Sequence, residues 1–128
     1  MGDELLDRGR EIQERLWPQM RGGGGRFPAA RLAPDFFRDV AESAFGMIWS
    51  RPGLAIRDRS LLTVAQLAAL GRSDELRAHL AGALNVGLTR EELVEVLMHT
   101  AVYAGVPAAN EAVGVAADVL GDGEADGG

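Results

Sequence analysis

Two glutamate–histidine pairs mark the segment 73–110. Glu75 precedes His79 by four residues and Glu95 precedes His99 by four, and these are the two histidines of the chain. On a helix that spacing puts acid and imidazole on one face. A histidine titrates near ~6.5, and a neighbouring carboxylate fixes its tautomer or raises its pKa, so a pair at the edge of a core can hold a proton near neutral pH. His79 lies beside Leu76 and Leu80 and belongs at such an edge. The ordinary alternative is a hydrogen-bonded core histidine behind a first-turn acid that the helix dipole favours. Glu95, His99 and Tyr103 form a second row, expected to be a more exposed helix face.

Other chemistries are closed by composition. The chain of 128 residues has no cysteine, which removes disulfides, thiol nucleophiles and cysteine metal sites. It has no lysine either, so Schiff-base chemistry is out of reach. The formal net charge is −6, against a general nucleic-acid footprint. No apolar run is long enough to cross a membrane. The opening MGDELLDRGR is too polar for a secretory signal, so a cytoplasmic location is expected. The histidines fall on different helices with no recognised ligand motif, so no metal is expected.

The elements that must position these residues are helical. Leu5, Ile12, Leu16 and Met20 recur at helical spacing and predict a helix over 3–20. Gly22-Gly23-Gly24-Gly25 reads as a flexible linker, lacking the lysine of a phosphate loop. Pro34 opens a second helix that runs to Trp49, broken by Arg51-Pro52-Gly53. A third, 57–70, has Leu, Val or Ala on nearly every side and reads as buried all round. Its polar residues Arg59, Thr63 and Gln66 share one stripe, either local bonds or the polar wall of a pocket. Ser73 is expected to cap a fourth helix, Thr89-Arg90-Glu91-Glu92 a fifth, and a sixth begins near Pro107. The expectation is an all-α, single-domain six-helix bundle. Residues 1–33 would form an N-terminal helix and linker, 34–120 the helical domain, and 121–128 a disordered acidic tail.

The stretch from Arg51 to Asn110, with RSLLT, DELRAHL, GLTREEL and YAGVPAAN in order, resembles the carboxymuconolactone decarboxylase family; Trp49 in FGMIWSRPGL fits as well. The resemblance covers about 45–117 and implies the alkylhydroperoxidase D-like fold. One branch of that family uses C-x-x-C-x-x-x-H for thiol redox. Counting back from His79, Arg72 and Glu75 stand at the cysteine positions, so this chain is similar to the other branch, the cofactor-free decarboxylases. Members of that branch carry a V-L-G-x-x-H-V-like segment near the N-terminus. Here Leu16-Trp17-Pro18-Gln19-Met20 stands in its place, and no histidine precedes His79.

The resemblance implies His79 as acid–base residue, Glu75 as its partner or the proton donor, and Arg59 as anchor for a substrate carboxylate. Trp49, Arg51, Thr63 and His99 are the expected substrate contacts. No cofactor is expected, and the partner is a small carboxylate or lactone. The family also implies a homo-oligomer, a trimer or hexamer. A decarboxylase, isomerase or cyclase of another acid, or a non-catalytic oligomeric binding protein, stays open as the alternative.

Overall fold

Proline and glycine punctuate a chain that is otherwise helix. The computed structural model describes residues 2–20 and 28–121, and among these no strand occurs. The glycine run 22–25 and the acidic stretch 122–128 lie outside the described residues. Two compact units divide between Ile56 and Arg57.

The first unit holds α1 (Gly2–Leu16), a 3-10 turn (Pro18–Met20), α2 (Pro28–Leu32) and α3 (Pro34–Val40). α3 continues directly into a π-helical stretch, Ala41–Trp49. α1 stops short of the expected Met20 because Pro18 has no N–H to continue the ladder. α2 was not expected, and it brings the α-helices among the described residues to seven rather than six. The expected 34–49 rod is present, but its second half is wound as π-helix, a rare form that is frequent at functional sites.

α1 crosses the π-helical stretch at two glycines. A Cβ on Gly9 would lie 1.9 Å from the Ala41 carbonyl oxygen, and one on Gly46 would lie 2.2 Å from that of Leu5. Only bare backbone fits there. The aromatic rings extend the contact: Phe45 meets Trp17 edge-on at 6.0 Å and stacks on Trp49 at 5.5 Å.

The second unit is built from α4 (Ile56–Leu70), α5 (Ser73–Asn85), α6 (Arg90–Ala104) and α7 (Val106–Leu120). Its core joins Val64 and Ala68 of α4 to Leu76, Leu80 and Ala83 of α5, Leu93 and Leu97 of α6, and Ala112 and Ala116 of α7. Each fully buried leucine contributes roughly 1.5–3 kcal/mol. The small residues of α7 serve this core, where Ala112 and Ala116 pack among the leucines.

The termini follow local rules. Gly71 and Gly105 end α4 and α6 with φ of 72° and 100°, a region open to glycine. Thr89 and Glu92 form the full capping box at the start of α6. Ser73 departs from expectation: it is the first residue of α5 rather than its cap, and its hydroxyl donates to Glu111 of α7 at 2.7 Å. α4 is also not buried all round. Ser60, Val64 and Ala68 form one buried stripe, while Gln66, Ala69 and Leu70 are exposed.

Candidate functional site

The second unit carries most of the predicted residues. α5 presents Glu75 and His79 one turn apart, Glu75 exposed and His79 largely buried. Their neighbours Leu76 and Leu80 are 1% and 0% exposed, so the leucines anchor this face of α5 and His79 sits at the edge of the core, as its position beside them predicts. Burial pushes the imidazole down from 6.5 to about 4, and the negative charge of Glu75 opposes this without overcoming it. The Glu75 carboxylate therefore does not hold a proton on His79 at neutral pH. The resting imidazole is neutral, able to accept a proton at one nitrogen and donate from the other.

α4 contributes Arg59, Thr63 and, in addition, Ser60. Arg59 is half-buried and its Nε is shut off from solvent, as is Nδ1 of His79. A guanidinium is a planar fork whose geometry matches a carboxylate. Thr63 spends its hydroxyl locally, donating to the Arg59 carbonyl at 2.7 Å. That is the local-bond side of the two readings of the polar stripe. Ser60 is absent from the sequence candidates. It is fully buried, and its Oγ has no hydrogen-bond partner among the described residues. The signal was there: a serine in register with Val64 and Ala68 interrupts an apolar stripe.

His99 and Gln66 share a different place. They line a groove of about 560 Å3 between α4 and α6 with Leu61, Glu95, Val96 and Tyr103. His99 and Tyr103 are exposed and their rings lie 5.5 Å apart at 48°. Neither Glu75 nor His79 lines this groove. The two glutamate–histidine pairs are thus separated into a core-edge pair and a groove-edge pair.

Trp49 and Arg51 belong to the first unit. They line a cleft of about 330 Å3 with Arg8, Glu11, Arg15 and Ser50. Arg8 and Arg15 are further residues absent from the sequence candidates. Among the described residues no three of His, Asp and Glu gather as a metal site needs, and no helix is long and apolar enough to cross a membrane.

Residues 34–118 match the carboxymuconolactone decarboxylase family. Over 88 residues the chain is 49% identical to 4-carboxymuconolactone decarboxylase of Acinetobacter baylyi, covering 69% of this chain and 66% of that protein. It is 40% identical over 98 residues to nitrosuccinic acid decarboxylase of Metarhizium robertsii, covering 73% and 68%. An uncharacterised 15.0 kDa protein of Paracoccus denitrificans is 28% identical over 121 residues, covering 93% and 90%. The chain thus spans about two thirds of the length of the two named relatives.

Proposed function

This chain belongs to the carboxymuconolactone decarboxylase family, and from that premise we propose that it is a decarboxylase of a small carboxylic acid, working by acid–base catalysis without a cofactor. The observation that carries the reading is the 49% identity to a 4-carboxymuconolactone decarboxylase across the segment that holds Arg59, Glu75 and His79. The names of the two relatives share one chemical feature. Each describes an acid bearing an electron-withdrawing group, a lactone in one and a nitro group in the other. The substrate proposed here has the same form: a carboxylate whose departure leaves an electron pair that a neighbouring lactone or related group accepts.

The step needs an anchor, a sink and a proton. Arg59 is the anchor, because a guanidinium pairs with a carboxylate through two parallel hydrogen bonds. The bond between carbon and carboxylate breaks, carbon dioxide leaves, and the electron pair passes into the lactone as an enolate. Carbon then takes a proton, and His79 handles it. A neutral His79 acquires that proton once an anionic substrate stands beside it, since negative charge raises the proton affinity of an imidazole. Glu75 adds to the same effect from one turn away. Thr63 bonds only the backbone carbonyl of Arg59, one turn before it on α4, and Ser60 keeps a buried hydroxyl on the same helix.

The test is a panel of carboxylated lactones and β-keto acids screened for carbon dioxide release. At least one should turn over, and His79→Ala should then lose about 10²-fold or more with an unchanged circular dichroism spectrum. Turnover of none would remove the decarboxylase reading. Near-normal turnover by His79→Ala would remove only its assigned residue. A homo-oligomer is part of the proposal, supported by Val102, Tyr103 and Val106, which are 70%, 84% and 69% exposed along the end of α6 and the start of α7.

A further inference from the structure

The cleft of the first unit has the opposite charge balance to the chain as a whole. The protein carries a net −6, yet the cleft gathers Arg8, Arg15 and Arg51 against one acid, Glu11. Arg8, Glu11 and Arg15 follow one another at helical intervals on α1, so they share a flank of that helix. Arg8 and Arg15 stand roughly 10 Å apart along the axis, a span that two guanidinium arms close to reach both ends of one small molecule. Neither makes an ion pair among the described residues, whereas Arg38 of the same unit is committed to Asp3 and Glu42. The indole of Trp49 lines the same cleft. It is held by its stacking on Phe45 at 5.5 Å and 28°, so it is a fixed flat surface rather than a swinging side chain.

We propose that this cleft binds a small planar dicarboxylate, with Arg8 and Arg15 pairing the carboxylates and Trp49 covering the ring. The volume of about 330 Å3 suits a ligand at the small end of the usual range. Two carboxylates are called for because one would leave the cleft with uncompensated positive charge. Planarity is called for by the fixed indole. The site is composed of first-unit residues alone, and its existence does not depend on the decarboxylation assigned to Arg59, Glu75 and His79.

The experiment is titration of the full chain with isophthalate, followed by tryptophan fluorescence, with benzoate as the single-charge control. Both tryptophans, Trp17 and Trp49, lie in the first unit. Isophthalate should bind about tenfold tighter than benzoate, and weaken as salt is raised. Arg8→Gln/Arg15→Gln should weaken it by about tenfold or more. Glu11→Gln, which removes the opposing charge, should tighten it. Arg59→Gln should leave it unchanged. Equal binding of benzoate and isophthalate, or no effect of the double variant, would overturn the site. So would loss of binding in Arg59→Gln, because the ligand would then occupy the other unit. A Glu11→Gln variant with no gain counts against it even if the double variant fails to fold.

Discussion

Glu75 stands one helical turn from His79, yet burial rather than Glu75 decides the charge that His79 carries. The consequence for stability has a definite sign. The folded imidazole is at about 4 and the unfolded one near 6.5, so the unfolded chain binds the extra proton between those values. Stability contributed by the neutral buried His79 is therefore full above pH 6.5 and is lost as pH falls toward 4. At 1.36 kcal/mol per unit the loss is about 3 kcal/mol. Urea denaturation from pH 8 to pH 4 should show it, and His79→Gln should flatten that part of the profile. An unchanged profile in the variant would assign the pH dependence elsewhere.

The crossing of Gly9 on Ala41 sets the second expectation. Alanine normally exceeds glycine inside a helix by about 1 kcal/mol, which would favour Gly9→Ala. Here the added Cβ would stand 1.9 Å from a backbone oxygen that cannot rotate away. Steric overlap wins, and the variant should be less stable by about 2–3 kcal/mol. Gly53→Ala is the control, since nothing lies within 4 Å of its added carbon. Tryptophan fluorescence during denaturation separates the two, with Gly9→Ala shifted and Gly53→Ala close to the parent.

Much of this architecture was legible from residue types because it rests on short-range rules. Thr89 and Glu92 announce their capping box in four letters, and Gly71 and Gly105 announce the ends of α4 and α6. The four-residue spacing of Glu75 and His79 was equally readable. What was not readable depends on partners distant in sequence. Ser73 has the residue type of a cap, but Glu111 of α7 takes its hydroxyl. The leucines and alanines of α4 look buried on every side, because composition does not reveal which side a neighbour leaves open. The sign of the shift at His79 was hidden for the same reason: it weighs a local carboxylate against desolvation that tertiary packing creates. The arginine cleft required both α1 and the turn after the π-helical stretch, and no local spacing links Arg8 or Arg15 to Arg51.

At the start of α6 the same capping box is tied to α4. Thr89 accepts from the Glu92 backbone N–H at 3.0 Å, the Glu92 carboxylate accepts from the Thr89 N–H at 2.9 Å, and Arg57 pairs with that carboxylate. These bonds hold the Glu92 carboxyl below its ordinary 4.5, the Thr89 N–H first among them. Thr89→Ala should cost about 1 kcal/mol, the usual worth of a cap. Because the folded pKa of Glu92 is lowered, its contribution is present above the ordinary carboxylate range and disappears as pH falls through it. The deficit of Thr89→Ala should persist at neutral pH in high salt, since a cap hydrogen bond is screened less than the exposed Arg57–Glu92 pair. Denaturation in low and high salt measures both.

The neutrality of resting His79 leads to a prediction about ligand binding. If an anionic substrate docks beside it, its negative charge joins that of Glu75 in opposing the desolvation, and the imidazole pKa rises from about 4. The complex then takes up a proton that the free protein does not hold. Calorimetric titration of a substrate or unreactive analogue at pH 6–7, in buffers of different ionisation enthalpy, should show an apparent enthalpy that changes with the buffer in the direction of uptake. His79→Gln should abolish that dependence while retaining part of the affinity through Arg59. Arg59→Gln should do the reverse, weakening affinity through the lost carboxylate pairing. Binding without proton uptake at any pH between 5 and 7 would mean that the substrate carboxylate does not reach His79, and the proton for the enolate would have to come from another group.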